Sequence, residues 1–467
     1  MTHAHADRQG RTLFWIAFGA GLVLRLVILS QTGQLGTMIV DEQHYAQLAT
    51  TVVRDGVYGM DALNPTSIRP PLFPGMVAAL WSLTGVGHLQ IIRVVNIVLA
   101  LITTGLVFLL GRDLFDSRIG RLGAAAFWLY PSLIFFNFTI LTESLFTCLF
   151  MLAIWLLVRL VRQPSAWGAL ACGAAIGLAA LTRSVLWPFP LVLCPVLALL
   201  IPRPLQQRVA LAALVLVGHV AVLTPWSMRN TRLQGVLTVV DTMGGENLRM
   251  GNYEHTPDDR MWAAVELTGE KNWAYALHQE QPDRDHFTEG EKDKWAQRKA
   301  LEYIVANPGI TLRRSVIKVS DFWGLEREYA AGVQQGIYAP PAWFGLSASG
   351  LIIVVYVLVS LLGLAGFWLT PTDLRTQAIV VLPLLGILGG HALAFGHSRY
   401  HVPLMPVFGI FAVALAAQGF GAVRRARGWQ LAGAALSVTL LLAIWVYQVL
   451  IVDAARIRAL LQVVVGS

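Results

Sequence analysis

The sequence predicts an all-α polytopic membrane protein with about eleven transmembrane helices, and three observations carry that prediction. Of its 467 residues, 56% are hydrophobic and only 13% are charged, about half the charged share of an average soluble domain. Apolar runs long enough to cross a bilayer, roughly 17 residues or more, recur along the chain. The arginines cluster at the ends of those runs, as orientation signals do. A formal charge of +8 would otherwise suggest nucleic acid, but this placement argues against it and for contact with membrane lipids.

The candidate spans fall at 12–30, 88–111, 121–139, 143–162, 166–182, 184–202, 209–226, 347–369, 377–395, 403–420 and 430–451. Residues 1–11 are short and basic with no cleavable signal, so the first run is expected to remain as a span. The run 71–83 (PLFPGMVAALWSL) is too short to cross and fits an interfacial or re-entrant helix. Near Thr182 and Arg183, one long apolar stretch divides into two helices with a tight turn between them. Cys148, Cys172 and Cys194 all lie inside apolar runs, which predicts packing residues without a disulfide framework or a metal spacing.

With a cytoplasmic N-terminus, Arg8, Arg11, Arg112, Arg118, Arg121, Arg159, Arg162, Arg203, Arg208, Arg375, Arg424, Arg425 and Arg427 all fall inside. The short outside turns then hold only Arg183 and Arg399. This divides the chain into an N-terminal membrane module (1–226, with a first outside loop at 31–87), an outside soluble region (227–346) and C-terminal spans (347–467). The soluble region carries 14 Lys/Arg and 17 Asp/Glu and is expected to be small and of mixed structure. Within it, GGENLRMGN (244–252) reads as a turn-rich loop, and EKDKWAQRKALEYIVANP (291–308) as a helix stopped by Pro308.

Chemistry concentrates on the outside face. Asp41 and Glu42 follow the first span, where an acid pair needs water or a function to hold it. Two roles are open to Asp41: N-cap of a helix over 42–54, or general base taking a proton from an incoming hydroxyl. Tyr45 shares its helix face at i+4. Arg69, before the stiff Pro70-Pro71 pair, is either a snorkelling residue or a substrate contact. Glu143 is the only acid between residues 117 and 240, and both helix-start chemistry and a catalytic role fit it. Arg183 and Arg399 contradict the orientation bias, and a guanidinium fork suits phosphate. His397 and His401 are four apart, but Pro403 makes metal ligation doubtful; no cluster demands a metal, and a divalent ion stays open.

In order, the chain shows DExxY after the first span (Asp41, Glu42, Tyr45), R-P-P before a short apolar segment (Arg69), a T-E turn (Thr142, Glu143) and a basic residue after the fifth span (Arg183). TPWSMRN (224–230) then leads into the GGxNLxxGN-like loop, and R-Y-x-x-P-x-x-P (Arg399, Tyr400) starts a late helix. This set, over roughly 12–420, resembles bacterial membrane glycosyltransferases of the GT-C fold, in the group related to protein O-mannosyltransferases and the lipid A aminoarabinose transferase.

The resemblance implies transfer of a sugar from a polyprenyl-phosphate donor to a glycan, lipid or protein hydroxyl, outside a bacterial inner membrane. It implies Asp41 as base, with Glu42 and Glu143 as further acids of the catalytic set. Arg183 and Arg399 would hold the donor phosphate, and Tyr45, Arg69 and Tyr400 would contact substrate. No cofactor is required by this reading. The competing class is a flippase or transporter of lipid-linked sugars; against it, the ionisable residues sit at one boundary and no repeated halves are visible. A ligase or polymerase of glycan chains would share the donor chemistry.

Overall fold

The computed structural model describes residues 3–258, 260–281 and 286–454, and among them the only regular elements are helices. Eight helices are long and apolar enough to cross a membrane, or nine if one bent pair counts as a span. In order, α1 is His3–Gln31, α2 Val40–Asp55, α3 Leu72–Thr84, α4 Leu89–Leu114, α5 Ser117–Trp128 and α6 Pro131–Asn137. They are followed by α7 Glu143–Arg162, α8 Ala166–Ala180, α9 Pro190–Leu200 and α10 Leu205–Gln234.

Every predicted apolar run is helical, but three lack the length for a simple span. Helices α5 and α6 meet at a 57° bend. Pro131 opens α6 there, because proline has no N–H to continue a helix and pushes the preceding residue out of helical conformation. Helices α8 and α9 have only 15 and 11 residues, with the expected break between them filled by a short 3-10 turn, Ser184–Leu186. The short apolar helix predicted at 71–83 is α3.

The segment after α10 is not mixed. Its described part folds as short helices: α11 Gly244–Met250, α12 Tyr275–Glu280, α13 Glu289–Ala306, α14 Pro308–Phe322 and α15 Glu328–Gln334, with 3-10 turns. The GGENLRMGN stretch is thus largely helical rather than a loop. Asp293 supplies the missing start signal, since its Oδ1 accepts from the amide of Gly245 at 2.6 Å. A Cβ on Gly245 would lie 2.0 Å from the Asp293 carbonyl oxygen, so only glycine allows that approach. Pro308 ends α13 as predicted and also opens α14.

The remaining spans are α16 Ala342–Leu369, α17 Leu374–Leu393, α18 Met405–Gln418 and, after the short α19 Phe420–Arg425, α20 Gly428–Tyr447. A 3-10 turn, Ser398–Leu404, leads directly into α18. Helices α7 and α18 are central, with 72% of their most apolar stretches buried; those of α1 and α20, at 11% and 17%, lie at the periphery. Helices α8 and α10 cross closely through glycines, and a Cβ on Gly173 would lie 1.9 Å from the Val215 carbonyl oxygen, the small-residue contact typical of membrane helices. At one end of the bundle, Arg162 joins three short connections by bonding the Asp113 carbonyl, Thr376 and Asp373. The long connections meet at the opposite end and build the cavity.

Candidate active site

A cavity of about 470 Å³ opens where the first loop, the starts of α7 and α18, the α8–α9 break and the segment after α10 converge. Asp41, Tyr45, Arg69, Arg183, Arg399 and Tyr400 line it. Its floor is a chain of alternating charges. Arg69 Nη2 donates to Asp41 Oδ1 at 2.8 Å, and Arg399 Nη1 donates to Asp41 Oδ2 at 3.1 Å. Arg399 Nε also reaches Glu143 Oε1, which Arg183 Nη2 meets at 2.5 Å. Arg183 Nε donates to the Thr142 hydroxyl at 2.9 Å. Three guanidinium groups therefore face two carboxylates.

The two acids differ in solvation. Glu143 is fully buried, whereas the Asp41 side chain keeps 31% of its surface exposed. Burial would raise the Asp41 carboxyl, but the guanidinium groups of Arg399 and Arg69 outweigh it and hold it below the ordinary carboxylate range. Asp41 does not cap its helix. Helix α2 begins two residues earlier than the capping alternative requires, with Ile39 at the N-cap, and the Asp41 side chain points to the arginines.

Glu42 takes the structural task. It is buried outside the cavity lining, and its Oε2 accepts from the amides of Met38 at 2.7 Å and Ile39 at 3.3 Å. Its Oε1 accepts from the Ile140 amide at 2.9 Å. Glu42 thereby ties the start of α2 to the turn before Glu143. Neither Glu42 nor Glu143 lines the cavity with the other predicted residues, though Glu143 reaches it through Arg183 and Arg399. Nor do His397 and His401 converge: His397 Nδ1 accepts from the Arg399 amide, while His401 is stacked on Trp323 and Tyr356 and meets Glu326 at 3.1 Å. Among the described residues, no group of three or more His, Cys, Asp or Glu could hold a metal ion.

Several residues were not anticipated. Arg93, fully buried at the start of α4, donates to the carbonyls of Phe138, Thr32 and Leu35. Asn96 donates to the Asn137 and Thr139 carbonyls, and Arg25 to the Asn137 side chain at 2.9 Å. These groups, with Glu42, fix the 137–142 turn that presents Glu143. An arginine within an apolar run, as Arg25 and Arg93 are, was the available sequence signal. Arg229 of TPWSMRN bonds the Thr66 and Tyr58 carbonyls, holding the loop that carries Arg69. Asp241 and Asp293 also line the cavity, with Lys294 beside them, and Asp241 lies close enough to Arg69 to offset part of its charge; burial pushes Asp241 up to about 6.

Residues 68–228 match the family described as dolichyl-phosphate-mannose-protein mannosyltransferase. The apo crystal structure of the Archaeoglobus fulgidus oligosaccharyltransferase superposes with a TM-score of 0.50 over 92% of this chain and 54% of that one, at 12% identity. The fold is GT-C. The A. fulgidus oligosaccharyltransferase AglB, with an inhibitory peptide and a dolichol-phosphate, gives 0.49 at 12% identity, covering 96% of this chain and 56% of that one. ArnT from Cupriavidus metallidurans bound to undecaprenyl phosphate gives 0.44 at 14% identity, covering 87% and 79%. The GT-C chain thus spans little more than half the length of the archaeal enzyme. No curated protein matches it by sequence.

Proposed function

We propose that the protein is a glycosyltransferase that moves a sugar from a polyprenyl-phosphate donor to an acceptor hydroxyl on the extracytoplasmic face of the membrane. The observation that carries this reading is the cavity floor, where the guanidinium groups of Arg69, Arg183 and Arg399 converge around Asp41. A preorganised cationic cradle stabilises negative charge developing on a departing phosphate. The family match over 68–228 supports the donor class.

In this mechanism Asp41 takes the proton of the acceptor hydroxyl. The acceptor oxygen attacks the anomeric carbon from the face opposite the phosphate, and the bond from that carbon to the phosphate oxygen breaks with inversion. The bonding pair leaves on the lipid phosphate, held by Arg183 and Arg399. Glu143 is the buried brace that keeps both guanidinium groups on the cavity wall. Arg69, Tyr45 and Tyr400 orient sugar or acceptor. The arginine-rich short connections at the other end of the bundle support a cytoplasmic N-terminus.

Mass spectrometry of envelope glycans and lipids tests the reading, comparing cells that carry the wild-type chain with cells that carry Asp41→Asn. A product heavier by one sugar residue is expected with the wild type alone. Identical spectra from both strains would remove the reading.

A further inference from the structure

Each oxygen of Asp41 faces a cation, and a carboxylate held in this way is a weak base. Its Oδ1 receives Arg69 and its Oδ2 receives Arg399. Arg399 is itself shared, with Nη1 on Asp41 and Nε on Glu143. A phosphate entering the cavity meets the N–H groups of its arginines, and where it takes the Nη1 edge of Arg399 it displaces a carboxylate contact. Glu143 is fully enclosed and cannot be rehydrated if its partners leave, a costly loss for a buried charge. Asp41, with about a third of its side-chain surface open to the cavity, can exchange a guanidinium for water.

We propose that the donor's phosphate and Asp41 compete for Arg399, so that donor binding uncovers the base and the acceptor is deprotonated only on the donor-loaded enzyme. This rests on the glycosyl-transfer reading above. Phosphate takes the Nη1 face of Arg399 while Glu143 keeps the Nε side. Asp41 loses a cation and gains a nearby anion, and both changes favour its protonated form. The acceptor proton then moves to Asp41 Oδ2, the acceptor oxygen bonds to the anomeric carbon, and the phosphate departs with the bonding pair. The proton on Asp41 passes to solvent when product leaves.

Such coupling is reciprocal: whatever the phosphate does to the charge on Asp41, that charge does to phosphate affinity. Removing the charge must therefore tighten binding of the lipid phosphate while it abolishes transfer. The test titrates sugar-free undecaprenyl phosphate into the purified full-length protein, wild type, Asp41→Asn and Asp41→Ala, with thermal melting as the check on folding. Both variants are expected to bind about fivefold tighter or more, the lower end of usual coupling between sites. Unchanged or weaker binding in the folded variants would overturn the competition while leaving transfer intact as a reading. Failure of the wild type to bind any polyprenyl phosphate would remove the donor assignment itself, and the competition with it. Two replacements of different size keep the result independent of either one's packing.

Discussion

Replacing Glu42 by alanine separates positioning from chemistry in the acid pair. The carboxylate holds three amides, those of Met38, Ile39 and Ile140. Loss of the helix-start contacts costs about 1 kcal/mol. Loss of the Ile140 bond leaves a wholly buried amide facing nothing, and a hydrogen bond to a charged group is worth roughly 1.5–3 kcal/mol. Together these give about 2.5–4 kcal/mol, concentrated where Asp41 and Glu143 are set. Differential scanning fluorimetry in detergent should show a melting temperature lower by about 5 °C. Transfer at saturating donor should fall roughly 10- to 100-fold, because small misplacements of a reacting group are that expensive. Glu42→Gln should rescue only in part, since its amide nitrogen must face one of the two amide-donor sets. An unchanged melting temperature in Glu42→Ala would refute the reasoning. So would a Glu42→Gln variant of wild-type stability whose transfer is lost about 10⁴-fold, the signature of a proton-transfer group.

Three further outcomes follow from the same geometry. Arg183→Ala and Arg399→Ala should each weaken undecaprenyl phosphate binding by about 2 kcal/mol or more, roughly 30-fold, measured by titration. The acids give opposite pH signatures. Asp41, held low by its arginines, contributes stability that is present above its unfolded value near pH 4 and lost as pH falls through the lower folded value, so the melting difference from Asp41→Asn should shrink below about pH 4. Asp241, raised to about 6 by burial, favours the fold below its unfolded value and costs stability as pH rises through 6. Asp241→Asn should therefore melt higher than wild type at pH 8 by the equivalent of about 2–3 kcal/mol and match it below about pH 4. Gly251→Ala would place a Cβ 1.7 Å from the Ala394 carbonyl oxygen, and thermal melting should register a loss of about 1–3 kcal/mol.

Much of the frame was legible because hydropathy reports composition and length. All eleven apolar runs became helices, and topology alone placed Asp41, Glu143, Arg183 and Arg399 at one boundary, where the structure brings their side chains together. Hydropathy does not report where backbone hydrogen bonding breaks, so the bend at Pro131 and the shortness of α8 and α9 were hidden inside continuous apolar runs. The resemblance set Asp41 apart from Glu42 as the base, but the amides that Glu42 holds were not legible, because adjacent helical residues diverge by a packing choice. Glu42 closes the helix start without the Ser or Thr that normally signals a capping box. Helix α11 depends on Asp293, more than 40 residues away in sequence, so its local glycines suggested a loop. Asp241 and Asp293 went unnoticed for the same reason: long-range folding, not motif spacing, brings them to the cavity.

For Asp41→Asn, two guanidinium partners on one carboxylate predict lost transfer together with tighter binding of the lipid phosphate. Group transfer itself is tested by the stoichiometry of free polyprenyl phosphate in proteoliposomes supplied with a polyprenyl-phosphate sugar and an envelope acceptor extract. One lipid phosphate should be released per sugar transferred by the wild type, and none by Asp41→Asn. Movement of the intact lipid-linked sugar across the bilayer with no phosphate released would contradict group transfer.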